Sequence, residues 1–241
     1  MATRISVIVP VFNEAENVSP LVREVTAALA CESFELVLVD DGSRDGTWEK
    51  IQAACAADAR VRGLRLKWNS GQSAALWTGI QATDSPILAT LDGDLQNDPA
   101  DFPALLAELE KCDMVCGVRQ KRRDSWIRRV SSSVARTARR TALGVDFQDT
   151  GCGLRVFRRE ALQGVFGFNG LHRFLPVLVH DGGARVHELP VNHRPRVAGV
   201  SKYGVWNRLG RGLVDLFALA WYHQRRYRPV PSARCPETTG R

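Results

Sequence analysis

The segment Thr90–Pro99, TLDGDLQNDP, places Asp92 and Asp94 one residue apart at the end of an apolar run, PILATL, with Gly93 between them and Asp98 just beyond. In a continuing strand, alternate residues share a face, so both carboxylates would point the same way. Gly93 would permit a turn that brings the backbone close to a ligand. Carboxylate oxygens are hard ligands suited to Mg²⁺ or Mn²⁺, and such ions usually keep positions open for substrate phosphates. Without a cation, a diphosphate about 4 Å from a carboxylate is repelled by roughly 4 kcal/mol per charge pair at an effective dielectric near 20. The acids therefore imply a divalent ion, and the ion implies a phosphate.

The surrounding pattern indicates what positions them. Short apolar runs alternate with helix-patterned segments: ISVIVPVF, then 15–30, FELVLVD, then 47–57, VRGLRL, then 73–82, then PILATLD. This is the rhythm of a mostly parallel sheet with helices on its faces, an α/β fold. In such sheets ligands collect at the carboxyl ends of the strands. Three polar clusters fall there: PVFNE at 10–14, VDDGSRDGT at 39–47 and LDGDLQ at 91–96. Asp45 and Ser43 have a competing use as caps for the helix that opens near Thr47.

Composition narrows the partners. The 241 residues are 44% hydrophobic, enough for a large core, and carry a formal charge of +7. Residues 1–118 hold 9 Lys/Arg against 18 Asp/Glu, whereas residues 119–241 hold 24 against 8. A basic half suits nucleic acid, an anionic membrane surface or a phosphorylated substrate. A nucleic-acid-binding module would leave the acidic rim without a role, and no recognised binding motif accompanies it. The six cysteines show no paired zinc spacing and read as reduced thiols of an intracellular protein. The N-terminus lacks the pattern of a signal peptide. The longest late apolar run, LVDLFALAWY, falls short of the roughly 20 residues that span a bilayer.

In the second half, 126–143 (WIRRVSSSVARTARRTAL) predicts an amphipathic basic helix. The segment VDFQDTGCGLRVFRREAL predicts strand then helix, and RVHELPVNHRP a late strand. From 205 to 228 a long helix or helix pair is expected, with an apolar Trp-bearing side and a basic end, followed by a flexible tail at 229–241. The expected division is thus a catalytic domain over 1–204, a membrane-interface helical segment over 205–228 and the tail.

The motifs ISVIVPVFNEAENV, VLVDDGSRDGT, NSGQSAAL, LDGDLQNDP, GVR, DTGCGLRVFRRE and PVNHRPRVAGVSKYG occur in that order. In this the chain resembles the family 2 inverting glycosyltransferases of the GT-A fold, in particular the polyprenyl-phosphate glycosyltransferases, over roughly residues 4–225. The resemblance implies a nucleotide-diphospho-sugar transferase fold with amphipathic interface helices. It implies that Pro10, Phe12, Glu14 and Asp40 line the nucleotide pocket, with Phe12 standing where many relatives have Tyr. Asp92, Asp94 and Gln96 would hold Mg²⁺ or Mn²⁺ on the donor diphosphate, with Gly93 beside it. Arg119 and Arg128, or Arg129 in place of Arg128, would hold the acceptor phosphate, and Lys202 would close on the donor phosphate. Asp149, His172 and His193 have structural readings as hydrogen-bonded rim or core groups.

Near His172 many relatives with soluble acceptors carry an acidic catalytic base, and this chain has none there. A sugar hydroxyl must lose a proton to attack, so enzymes using one need a general base. A phosphate monoester has its second pKa near 6 and is largely ionised at neutral pH. The expected acceptor is therefore a polyprenyl phosphate, and the expected place is the cytoplasmic face of the membrane. Attachment there would be peripheral, through basic and Trp-bearing helices, with a membrane-protein partner an open alternative. A family 2 transferase acting on a polysaccharide acceptor is the competing expectation.

Overall fold

The computed structural model describes residues 4–120 and 145–195, together with the separate positions Ala218, Trp221 and Arg225. Seven strands form one sheet: β1 (Ile5–Val11), β2 (Phe34–Asp40), β3 (Val61–Arg65), β4 (Ile87–Thr90), β5 (Met114–Arg119), β6 (Arg155–Arg158) and β7 (Val186–Val191). Their spatial order is β3-β2-β1-β4-β6-β5-β7. β1 pairs in parallel with β2 and β4, β2 with β3, and β5 with β7. Only β6 runs the other way, antiparallel to both β4 and β5.

The strand sequences are nearly continuous apolar runs because both faces are covered. Ile5, Val7, Val9 and Val11 of β1 join one core with Leu36 and Leu38 of β2, whereas Ile8, Val37 and Val39 join a second core on the opposite face. The first core takes in Val18, Leu21 and Val25 of α1 (Ala15–Ala28), Ile51 of α2 (Thr47–Ala57), and Phe102 and Leu105 of α4 (Phe102–Glu108). The second takes in Ala75, Leu76 and Ile80 of α3 (Gln72–Gln81) and Leu171, Phe174, Leu175 and Leu178 of α5 (Leu171–Asp181).

The reversal of β6 bears directly on function. Because β6 is antiparallel, its entry segment Gly151–Leu154 lies at the same edge as the carboxyl ends of β1, β2, β4, β5 and β7. A purely parallel sheet would send that segment to the far side. The helix expected after β6 is instead a short 3₁₀ turn, Arg159–Leu162, and the next α-helix begins at Leu171. Cys31, Cys55, Cys112, Cys116 and Cys152 are free thiols, and burial pushes the Cys116 thiol up to about 12. Among the described residues no helix is long and apolar enough to cross a membrane. The expected basic helix at 126–143, with Arg128 and Arg129, lies outside the described residues. So do Lys202 and most of 205–228, although Ala218, Trp221 and Arg225 are helical and the Arg225 guanidinium lies 5.3 Å from the centre of the Trp221 ring.

Candidate active site at the carboxyl rim of the sheet

The three polar clusters meet at one rim, and hydrogen bonds across sequence lace the first two together. The backbone N–H of Asn13 donates to Ser43 Oγ (2.8 Å), that of Arg44 to Asn13 Oδ1 (2.9 Å), and that of Glu14 to Thr47 Oγ1 (2.9 Å). Asn13 takes φ of 52°, a left-handed conformation that Asn tolerates better than most residues. Asp45 accepts from the Thr47 backbone (3.1 Å) and hydroxyl (2.5 Å), and from Ala15 N (3.3 Å), so it ties α2 to α1. These hydrogen bonds outweigh partial burial and hold its carboxyl below the usual range. Pro10, Phe12 and Glu14 are each half-buried, and Glu14 Oε2 accepts from Asn17 Nδ2 at 2.6 Å.

Asp40, at the end of β2, is fully buried. Its Oδ1 accepts from Ser43 N at 2.9 Å. Its Oδ2 lies 3.2 Å from Arg65 Nε, close enough for an ion pair yet not aligned as a hydrogen bond, so that buried oxygen keeps acceptor capacity. Asp41 is also buried and accepts from Ser70 N (2.7 Å) and Gly71 N (2.8 Å). Burial pushes the Asp41 carboxyl above its ordinary value, and these two N–H groups offset only part of that.

Asp41 thereby fixes the entry to α3, and α3 in turn reaches the acidic pair. Gln72 Nε2 donates to Asp92 Oδ1 at 2.8 Å, and Asn97 Nδ2 lies 3.4 Å from Oδ2. Burial first, then the neighbouring charge of Asp94, pushes the Asp92 carboxyl up to about 6, against the opposing pull of Arg155, Arg119 and Gln72. Asp92 is crowded by protein on most sides while its residue keeps partial exposure at the rim. Asp94 Oδ1 accepts from Gln96 N at 3.2 Å. Gln96 is held through its backbone carbonyl, which accepts from Arg194 N at 2.7 Å.

The pair does not sit on a continuing strand. β4 ends at Thr90, and 93–94 form a turn in which Leu95, not Gly93, takes the left-handed conformation, with φ of 59°. Gly93 is required by close packing: a Cβ there would lie 2.7 Å from Val11 Cγ1 and 3.2 Å from the Pro10 carbonyl. Gly153 is tighter still, since its Cβ would lie 2.4 Å from Asp92 Cγ and from both carboxylate oxygens. The reversed β6 thus provides the wall against which Asp92 rests.

Arg119, at the end of β5, forms a bidentate pair with Asp149: Nε to Oδ2 at 2.7 Å and Nη2 to Oδ1 at 2.8 Å. The side chains are 17% and 8% exposed, so the pair faces the rim from within it. Burial pulls the Arg119 guanidinium down, but Asp149 outweighs it and holds the group above its ordinary value. Arg155 is almost fully buried nearby, with Nη2 donating to the Thr150 carbonyl at 2.8 Å and Nε without a hydrogen-bond acceptor. His193 forms an isolated bridge with Asn97, and His172 Nδ1 lies 2.6 Å from Ser73 Oγ. An open groove lined by Trp77, Ile80, Arg159, Leu162 and Val165 lies at the opposite end of α3 from Asp92.

The structure therefore brings Pro10, Phe12, Glu14, Asp40, Asp92, Gly93, Asp94, Gln96 and Arg119 to one edge. Gln72, Asn97, Asp41 and Gly153 join them without having been singled out from sequence. Gln72 lies within NSGQSAAL and Gly153 within DTGCGLRVFRRE, so the motifs contained them while their contacts awaited the topology.

The sequence profile of Glycosyl transferase family 2 matches residues 6–166, two thirds of the chain and nearly all of this rim. The chain belongs to glycosyl transferase family 2. It is 36% identical over 233 residues to dodecaprenyl-phosphate galacturonate synthase of Rhizobium johnstonii, covering 93% of this chain and 69% of that protein. It is 37% identical over 205 residues to undecaprenyl-phosphate 4-deoxy-4-formamido-L-arabinose transferase of Aeromonas hydrophila, covering 83% of this chain and 63% of that one. The chain thus spans about two thirds of the length of these two relatives. The fold matches glucosyl-3-phosphoglycerate synthase from Mycobacterium tuberculosis, solved with Mn²⁺ and UDP-glucose (TM-score 0.69, 18% identity, 91% of this chain and 79% of that one). It also matches a mannosyltransferase from Pyrobaculum calidifontis solved with GDP-mannose and Mn²⁺ (TM-score 0.67, 21% identity, 95% and 66%). This family 2 chain has the GT-A architecture, with a mixed seven-stranded sheet whose strands are mostly parallel.

Proposed function

We propose that this glycosyltransferase moves a sugar from a nucleoside-diphosphate donor to a polyprenyl phosphate, using a divalent cation held at Asp92 and Asp94. The observation that carries the reading is the placing of Asp92, braced by Gln72, Asn97 and Gly153, with Asp94 at the carboxyl rim of the sheet, where burial and the adjacent Asp94 disfavour the charged form of Asp92 and a bound cation would relieve that penalty. Asp92 and Asp94, with the Gln96 amide oxygen, would supply a hard, incomplete donor set of the kind Mg²⁺ or Mn²⁺ completes with phosphate oxygens and water. The Mn²⁺ in the solved structures named above supports a divalent ion. When bound, the ion supplies charge neutralisation for the departing nucleoside diphosphate.

The chain's own residues do the rest. Asp40 and Glu14 offer carboxylate oxygens to a base and ribose beside Pro10 and Phe12, and the unaligned Asp40 Oδ2 is the acceptor with capacity to spare. Gln72, Asn97 and the Gly153 backbone hold Asp92 in place. Arg119, held in place by its bidentate pair with Asp149, would meet an acceptor phosphate with charge-assisted hydrogen bonds. Arg128 or Arg129 would add a second guanidinium, and Lys202 would close on the donor phosphate. An ionised phosphate monoester attacks the anomeric carbon without a general base, and attack opposite the leaving group inverts that centre.

The polyprenyl-phosphate names of the two curated relatives support the acceptor class. The basic segment 126–143 and the Trp-bearing segment 205–228 suit peripheral attachment at the cytoplasmic membrane face, each Lys or Arg near an anionic leaflet contributing about 1 kcal/mol. The test is a donor panel of GDP-mannose, UDP-glucose and UDP-galacturonate with Mg²⁺ or Mn²⁺ and a short polyprenyl phosphate, scored for lipid-linked sugar. Transfer only to a polysaccharide or sugar hydroxyl would favour the competing acceptor class.

A further inference from the structure

Asp98 closes the acidic motif, yet neither the nucleotide pocket nor the cation set uses it. Its Oδ1 accepts from Ala100 N at 3.0 Å, capping the 3₁₀ turn Pro99–Asp101, and pairs with Arg194 Nη2 at 2.6 Å. The same guanidinium reaches Glu24 Oε2 of α1 through Nη1 at 2.7 Å. The Arg194 backbone N–H donates to the Gln96 carbonyl at 2.7 Å, and His193 bridges Asn97 in antiparallel register. Asn192 adds two bonds to the Asp101 carboxylate, N to Oδ2 at 2.7 Å and Nδ2 to Oδ1 at 3.0 Å. The residues that follow β7 therefore grip the loop 96–101 along its length.

Sheet pairing does not produce this contact. β7 is separated from β4 by β6 and β5, so the two segments meet only beyond the rim, after each has left its strand. We infer that Arg194 is a positioning residue for the cation site: its guanidinium ties the loop that carries Asp94, Gln96 and Asn97 to α1, and so holds the donor set in shape. The role toward the cation rests on the transferase reading, whereas the clamp itself does not.

The loop has physical reasons to need a clamp. Leu95 takes φ of 59°, against the preference of a residue with a Cβ, so contacts around the loop must hold that shape. Asp92, Asp94 and Asp98 are also close in sequence, and pairing with Arg194 gives Asp98 a counter-charge from the protein itself. A guanidinium suits the task because its planar fork presents N–H groups to two carboxylates at once, whereas an ammonium is a compact point charge on a flexible stem. Groups one step removed from metal ligands are typically worth about 10- to 100-fold in metal affinity.

The test has two readouts on the full-length chain. The first follows free Mn²⁺ by EPR during titration with UDP or GDP present, against the same mixture without protein. The second is hydrogen exchange over 92–101 with neither metal nor nucleotide. Arg194→Met should raise the Kd for Mn²⁺ about tenfold and speed exchange in that segment. Asp98→Asn keeps an amide oxygen for the Ala100 cap yet should reproduce most of the effect. The double variant should be no worse than Arg194→Met alone, because both changes break one contact. Arg62→Met is the control: it removes an ion pair to Glu35 at 2.6 Å near the start of β2, at the other end of that strand from Asp40, and should leave Mn²⁺ affinity unchanged. A Kd within about twofold of wild type in Arg194→Met, or an equal rise in Arg62→Met, overturns the positioning role. Unchanged exchange in Arg194→Met overturns the clamp. If the wild type binds no Mn²⁺, the cation reading fails and the positioning role with it, while exchange still reports the clamp.

Discussion

Gly153→Ala isolates the link between the reversed strand and the chemistry. A Cβ at this position would lie 2.4 Å from Cγ, Oδ1 and Oδ2 of Asp92, whereas ordinary contacts begin near 3.4 Å, so the carboxylate must retreat by about 1 Å. That movement breaks the 2.8 Å hydrogen bond from Gln72 and the 3.4 Å contact from Asn97. Misplacing a catalytic constellation by about 1 Å costs about 10²-fold in rate, close to 3 kcal/mol in the barrier. The fold should lose only about 1 kcal/mol, the worth of the hydrogen bonds given up, or roughly 2–4 °C in Tm for a chain of this size. Gly79→Ala is the counterpart, because its Cβ would meet Ile8 Cγ2 at the same 2.4 Å inside the core. The assay is initial-rate transfer of radiolabelled sugar beside a thermal melt for both variants. Gly79→Ala should lower Tm the more, and Gly153→Ala should lower turnover per folded molecule the more. Wild-type turnover in Gly153→Ala would show that Asp92 need not stand where β6 holds it.

Other consequences are more local. Asp94→Ala should reduce turnover by 10² or more while Tm stays within a few degrees, since a half-exposed rim carboxylate packs no core; near-normal turnover would remove Asp94 from the site. Asp149→Asn leaves the largely buried Arg119 without its counter-charge and should cost about 2–3 kcal/mol, below the roughly 3–5 of a fully buried broken pair, and a double-mutant cycle with Arg119→Met should recover most of it. Asp41 has a raised folded-state pKa, so its contribution to stability is largest below its unfolded pKa and declines as pH climbs through the folded value. The Tm difference, Asp41→Asn minus wild type, should therefore become more positive from pH 4 to pH 7, and a change of the opposite sign would contradict the burial argument. Arg128→Ala should raise the KM for the lipid acceptor more than that for the nucleotide sugar, and an unaltered acceptor KM would shift the role to Arg129.

Much of the first half was legible because its physics is local. Short apolar runs such as ISVIVPVF and FELVLVD, and the helical spacing between them, predict β1, α1, β2, α2, β3 and α3 within a residue or two of where they lie. The second half was harder to read. Prolines 103 and 176 sit inside α4 and α5, where they look like breakers, yet Pro103 falls in a first turn whose N–H needs no intrahelical partner. Insertion of β6 between β4 and β5, against the direction of both, is a long-range choice with no local signature, and it alone explains why Gly153 meets Asp92. The acidic pair announced itself by residue type and spacing. Its supports, Gln72, Asn97 and Asp41, are ordinary polar residues whose meaning comes from contacts across 5 to 30 positions. The same limit applied to Gly93: its presence could be explained by a flexible turn, and only the packing against Val11 shows that the absent side chain matters.

The most direct test of the central claim is transfer of labelled sugar to a polyprenyl phosphate by the purified chain, with Mn²⁺ titrated against a chelator in wild type and Asp94→Ala. The account predicts product only when the ion is present, and a loss in Asp94→Ala that added Mn²⁺ repairs poorly. Full transfer in chelator, or an Asp94→Ala protein with the wild-type dependence on Mn²⁺, would contradict it.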